Sequence, residues 1–78
     1  MIDQLHEFEC WSEDTGCKRP DAVRIIAQGK VRAACIFLAK ESENQVLQIR
    51  PYLVNVRGSN GVVDEIKVSH IKPPGEIK

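Results

Sequence analysis

The chain has 78 residues, which suits one domain with a small core, and its 11 basic residues balance 11 acidic ones. A formal net charge of zero argues against a dedicated nucleic-acid coat, because such proteins carry a basic excess. No apolar stretch approaches the roughly 18 residues of a membrane span, and the acidic N-terminus lacks the features of a signal peptide. The sequence therefore predicts a cytoplasmic protein without a membrane partner.

Charge is distributed unevenly along the first half of the chain. Residues 1–17 contain acidic side chains and neither Lys nor Arg, whereas residues 18–40 are predominantly basic. The acidic residues are Asp3, Glu7, Glu9, Glu13 and Asp14, and the basic ones are Lys18, Arg19, Arg24, Lys30, Arg32 and Lys40. We expect the two segments to lie against each other, or against the opposite segment of a second copy.

Apolar residues near the N-terminus recur at helical spacing. Ile2, Leu5 and Phe8 are three residues apart, and Trp11 continues the series. This spacing predicts a short amphipathic helix that ends at the turn-forming residues 12–16. Its apolar side is a candidate interface, because a core this small leaves such a surface without cover.

A second short helix is predicted over residues 20–28. Pro20 suits a first helical position, and Gly29 suits the position that follows a helix. The alternative is a strand over residues 23–27, since three of these five residues are β-branched. On the preferred interpretation, residues 1–28 form helical segments.

Residues 31–71 are predicted to form an antiparallel sheet. Residues 31–40 are apolar on both alternating faces, which is typical of a central strand, and residues 46–50 form the next strand. Pro51 marks a strand end or bulge because it lacks a backbone donor. Residues 52–57 and 62–71 are expected to pair as a hairpin around Asn60-Gly61, a dipeptide that accepts the positive φ of tight turns.

These elements predict a single α+β domain spanning residues 1–78. Short helices precede a strongly bent antiparallel β-meander or a partly open barrel, and residues 73–78 form a frayed tail.

The order of elements in residues 21–73 resembles a miniature WYL-type domain. Arg50-Pro51-Tyr52 stands where that family has an Arg-x-x-Pro strand end, and residues 67–71 stand at its closing strand. Gly29-Lys30-Val31 and residues 44–47 are similar to the Sm-like family. Both resemblances imply a small SH3-like or Sm-like barrel. The Trp-Tyr-Leu signature is absent, so the resemblance implies a shape and assigns no site residues.

Cysteine and histidine residues offer two further interpretations. His6, Cys10 and Cys17 form one candidate cluster, in which His6 and Cys10 lie four apart, and His70 or Cys35 would complete a zinc site. The chain has no Cys-x-x-Cys pair, so a zinc-stabilised domain is the third alternative, and stability is predicted to be independent of metal. A cytoplasmic setting predicts that all three cysteines are thiols. Nucleophile, base and orienting group do not occur in a recognisable arrangement, so we predict no enzyme, no catalytic residue and no cofactor.

The preferred function is a non-enzymatic interaction module that forms a homodimer or larger oligomer and also binds a protein partner. The oligomer is expected to form through an edge strand of the sheet or through the apolar side of the N-terminal helix. The predicted interface residues are Ile2, Leu5, Phe8 and Trp11. The alternative is a small regulatory nucleic-acid-binding barrel that uses basic side chains on the sheet. The candidate contacts for that alternative are Arg32, Arg50, Arg57, Lys67 and Lys72.

Overall fold

A computed structural model describes residues 4–70. Four strands and one α-helix form the fold, and two short 3-10 turns, Glu13–Thr15 and Arg19–Asp21, lie between the first two strands. The elements in chain order are β1 (His6–Trp11), β2 (Val23–Ala27), α1 (Lys30–Asn44), β3 (Pro51–Arg57) and β4 (Val63–Ser69). Ile2, Ile71, Lys72 and the predicted tail 73–78 lie outside the described residues.

The N-terminal segment is a strand, and the predicted N-terminal helix is wrong. Along β1, Phe8 and Cys10 are buried while Glu7 and Glu9 are exposed. This alternation with a period of two is the pattern of a strand that has one covered face. β1 pairs antiparallel with β2 on one side and with β3 on the other, and these tertiary bonds override the local helical spacing.

Residues 20–28 also contain a strand, so the preferred helix there is wrong and the alternative strand over Val23–Ala27 is confirmed. Pro20 lies within a short 3-10 turn that ends before β2 begins. Gly29 precedes α1 as its N-cap, and its carbonyl accepts the first helical bond from Ala33 at 2.9 Å. It therefore begins a helix where the sequence predicted that it would end one.

The predicted central strand over residues 31–40 is wrong, because this segment forms most of α1. Its buried residues, Ala33, Ala34, Phe37 and Leu38, recur at intervals of three and four, so they form one helical stripe. The helix extends through Asn44 without interruption by Gly or Pro. A run of this length is too long for a typical strand.

The hairpin predicted around Asn60-Gly61 is confirmed. β3 and β4 pair antiparallel from Pro51 opposite Ser69 to Arg57 opposite Val63. Only Gly61 in this turn takes a positive φ, 84°, and Gly58 N–H closes a three-residue loop by donating to Val62 O. The predicted strand over residues 46–50 is wrong, since that segment is irregular and β3 begins at Pro51.

The sheet is open, with strand order β2-β1-β3-β4 and every neighbouring pair antiparallel. The helix lies against all four strands on one face. The α+β class is therefore confirmed, whereas the sheet neither closes into a barrel nor follows the order of a meander. The buried core is Phe8, Cys10, Ile25, Ala27, Ala33, Ala34, Phe37, Val54 and Val56.

Side chains from the first 3-10 turn cover part of the edge of β3. β1 pairs with β3 only at Asn55–Arg57, so the backbone of Leu53 lies beyond its end. The Ser12 hydroxyl donates to Leu53 O at 2.6 Å, and Leu53 N–H donates to a carboxylate oxygen of Asp14 at 2.9 Å. The backbone N–H and C=O of Leu53 are thereby hydrogen-bonded without another strand.

We expect Ser12→Ala to lower the free energy of unfolding by about 1–3 kcal/mol, because it leaves Leu53 O without its buried donor. Urea denaturation followed by circular dichroism measures the change. Ser42→Ala is the matched control, since the Ser42 hydroxyl also donates to a backbone carbonyl, that of Ala39, on the exposed surface of α1. Equal stabilities of the two variants would contradict the role assigned to Ser12.

Candidate interaction surface

The outer edge of β4 presents backbone groups that point away from the sheet. His70 N–H donates to Arg50 O at 3.0 Å, and Gly58 N–H donates to Val62 O at 3.2 Å. Hydrogen-bonded and non-hydrogen-bonded pairs alternate in an antiparallel ladder, so the even-numbered residues of β4 direct their backbone groups toward β3. The odd-numbered residues direct theirs outward. These are Val63, Glu65, Lys67 and Ser69.

The side chains of these four residues lie on the sheet face opposite α1. Their alternation with half-buried Asp64, Ile66 and Val68 places them there. All four are exposed. Glu65 and Lys67 form no ion pair within residues 4–70, so the edge carries one free carboxylate and one free ammonium on adjacent outward positions.

The opposite edge of the sheet differs from β4. β2 has five residues against seven in β4, and its exposed side chains are the cation Arg24 and the apolar Ile26. Arg24 is already engaged with Glu7 at 2.9 Å. β4 is therefore the longer edge and the one that carries both signs of charge.

Ion pairs connect the strands on the open face. Arg24 bonds Glu7 across β1 and β2, and Arg57 bonds Glu9 at 3.1 Å across β1 and β3. The acidic first segment thus lies against the basic second segment at Glu7 and Arg24, as one of the two sequence alternatives predicted. Each such exposed pair contributes about 0–1 kcal/mol.

The residues predicted as an interface do not share a surface. Phe8 is buried under α1 in the core, whereas Trp11 points to the other side of β1. The guanidinium of Arg19 lies 5.3 Å from the centroid of the Trp11 ring, and Trp11 is only 7% exposed. Leu5 is exposed, and Ile2 lies outside the described residues. A second molecule therefore finds neither aromatic ring at the surface.

The predicted nucleic-acid contacts are dispersed. Arg32 lies on α1, and Arg50 precedes β3 with its guanidinium 3.9 Å from the centroid of the Tyr52 ring. Arg57 and Lys67 share the open face of the sheet, but Arg57 is paired with Glu9. Lys72 lies outside the described residues. The residues placed by the structure do not form one basic groove.

The thiols lie in three different environments. Cys10 is buried, and its thiol has a pKa raised from 9.0 to about 12. Burial is the larger cause of this increase, and the nearby Cys17 is the smaller one. The pKa of half-buried Cys17 is also raised, chiefly by burial and to a smaller extent by the Glu41 carboxylate. Cys35 is exposed on α1. No cluster of three or more His, Cys, Asp or Glu side chains suited to a metal ion occurs in residues 4–70, and metal-independent stability stays a prediction.

The sequence predicted pairing through an edge strand as one of two routes but did not identify β4 as that strand. The signal was the alternation in Val63–Ser69, which places Glu65 and Lys67 on one face of a strand. Their significance depends on β4 lying at the end of the sheet, and strand order is a tertiary property.

Within residues 4–70, no helix has both the length and the apolar character needed to cross a membrane. Comparison with known proteins yields no matching family model, no significant match among curated proteins and none among solved structures. The resemblance to WYL-type and Sm-like domains stays a prediction, and any functional proposal depends on the geometry of the chain itself.

Proposed function

We propose that this protein is a non-enzymatic interaction module that self-associates by pairing β4 with β4 of a second copy. The observation that carries the proposal is the outer edge of β4, where four residues direct backbone N–H and C=O groups away from the sheet. Such an edge is a template for strand addition, and two-fold pairing is the commonest closed arrangement.

The contrast with β3 supports this choice of edge. Where β3 extends beyond β1, Ser12 and Asp14 occupy the backbone of Leu53 with side-chain hydrogen bonds. Within residues 4–70, no side chain forms a hydrogen bond with the outward backbone groups of β4. In the proposed dimer, the strand of a second copy forms a ladder of hydrogen bonds with these groups.

The alternative of a nucleic-acid-binding surface has less support. The open face contains Glu7, Glu9 and Glu65 among its cations, and two of these carboxylates already pair with arginines. A polyanion would meet these carboxylates at close range, and a net charge of zero provides no long-range attraction. Binding of a further protein partner stays a prediction from the sequence.

The double variant Val63→Pro/Ser69→Pro tests the proposal. Both residues direct their N–H outward, so proline removes two donors from the free edge and none from the ladder with β3. We expect the wild-type protein to sediment as a dimer at protein concentrations of about 10 µM to 1 mM, because these concentrations detect a weak interface. The variant should have a dissociation constant at least about tenfold higher.

Val63→Ala/Ser69→Ala is the matched control, because it removes the same side chains and retains both N–H groups. We expect it to dimerise like the wild type. Circular dichroism checks that the proline variant remains folded. A wild-type chain that sediments only as a folded monomer throughout this range would overturn the proposal, as would a proline variant that is folded and fully dimeric.

A further inference from the structure

From the sequence of the free edge we infer the register of the pairing: the two β4 strands are antiparallel and centred on Ile66, so that Glu65 of each copy lies opposite Lys67 of the other. This inference rests on the proposed function and specifies its partner as a second copy bound in one alignment.

The direction of the backbone groups restricts the possible registers. Only the odd-numbered residues of β4 direct their N–H and C=O outward. A symmetric antiparallel pair can form a ladder only if odd-numbered residues of one copy face odd-numbered residues of the other. The two-fold axis must then lie at the level of one residue, which faces the same residue of the other copy, and not midway between two consecutive residues.

Charge selects among the registers that remain. A pair centred on Glu65 places Glu65 opposite its own copy, and a pair centred on Lys67 does the same with two ammonium groups. Like charges directly opposite each other destabilise a sheet, whereas opposite charges stabilise it. Centring on Ile66 places Glu65 opposite Lys67 twice, once on each side of the axis.

The same register uses the full edge. Val63 faces Ser69 of the other copy, and Glu65 faces Lys67, so all four outward residues of each strand take part. Four hydrogen-bonded pairs with two bonds each give about eight backbone hydrogen bonds. Centring on Asp64 or Val68 shortens the overlap and leaves Glu65 and Lys67 unmatched.

The faces of the sheet are also compatible with this arrangement. A two-fold axis perpendicular to the sheet keeps the same face upward in both copies, so both helices lie on one side. Ile66 then faces Ile66 across the axis on the helix side, where its side chain is only half buried in the single chain. Pairing covers the rest of this apolar surface.

Charge reversal provides the test. Glu65→Lys places ammonium groups opposite Lys67, and Lys67→Glu places carboxylates opposite Glu65, so each variant alone should dimerise at least about tenfold more weakly than the wild type. Mixed in equal amounts, the two variants should form a heterodimer, because each pair is then complementary. The double variant Glu65→Lys/Lys67→Glu should dimerise like the wild type. Mass spectrometry of the mixture under native conditions, with one variant labelled with ¹⁵N, measures heterodimer formation.

Disulfide formation provides an independent test of the register. In a Cys17→Ser/Cys35→Ser background, Ile66→Cys should cross-link to itself, because directly opposed non-hydrogen-bonded residues have Cα atoms about 4.5 Å apart, within the range of a disulfide. Val68→Cys is the matched control and should not cross-link to itself, since it lies opposite Asp64.

The outcomes separate this inference from the proposed function. A monomeric wild type contradicts both. A dimer that is weakened by the outward prolines but unaffected by either charge reversal contradicts the register alone. Self-cross-linking through Val68→Cys in place of Ile66→Cys also contradicts the register, and so does a mixture of the charge variants that forms no heterodimer.

Discussion

Replacing Phe37 with alanine should lower the free energy of unfolding by about 3–5 kcal/mol. Phe37 is fully buried at the centre of α1 and is the largest side chain without exposed surface in the described part of the chain. It packs against the sheet in the core that contains Phe8 and Val54, so its removal leaves a cavity between helix and sheet. A domain of this size has a total stability of about 4–12 kcal/mol, so this loss is a large fraction of it.

Val31→Ala is the control for this experiment, because Val31 is on the same helix and is 63% exposed. Alanine has a higher helix propensity than valine, so we expect this variant to be at least as stable as the wild type. Thermal and urea denaturation measure both. A Phe37→Ala variant within about 1 kcal/mol of the wild type would mean that α1 does not pack on the sheet as described.

The cysteines should differ by orders of magnitude in their rates of alkylation. At pH 8, a thiol with a pKa of 9.0 is about one-tenth thiolate, whereas the pKa of about 12 for Cys10 leaves about one part in ten thousand. Because the thiolate is the nucleophile, iodoacetamide should alkylate native Cys10 at least about a thousandfold more slowly than an ordinary thiol. Exposed Cys35 should react first.

Peptide mass spectrometry after timed quenching resolves the individual sites. Unfolding in urea is the internal control, because it removes the burial that raises the pKa of Cys10 and should bring the rates of the three thiols together. Native labelling of Cys10 at the rate of Cys35 would show that β1 does not lie beneath α1.

The hairpin was predictable from sequence because its signals are local. Asn60-Gly61 separates two β-rich runs, and the turn requires a positive φ only at Gly61, where glycine has no steric penalty. The α+β class followed from the same mixture of patterns. The interpretation of residues 31–40 failed because an apolar run suits both a central strand and a buried helix. The segment continues to Asn44 without Gly or Pro, and this length favours a helix over a strand.

The N-terminal error has a different cause. Ile2, Leu5 and Phe8 match a helical period, while Glu7, Phe8, Glu9 and Cys10 alternate as in a strand, so the segment satisfies both patterns. Pairing with β2 and β3 decides in favour of the strand, and those partners are distant in sequence. The identity of β4 as the pairing edge depends likewise on strand order, which is set by contacts between residues distant in sequence.

Ser12 and Asp14 close the stretch of β3 that β1 leaves uncovered, so no strand of another copy can pair at Leu53. Growth into a fibre requires each molecule to offer two edges that recognise each other. In the proposed dimer, the self-complementary β4 of each copy is used completely when two copies meet. The outer boundaries of the proposed dimer are two β2 strands, which are shorter than β4 and lack its combination of Glu and Lys. The proposed β4 pairing therefore favours a closed dimer over a fibre, because β4 recognises itself and the side chains of a serine and an aspartate already occupy the exposed part of β3.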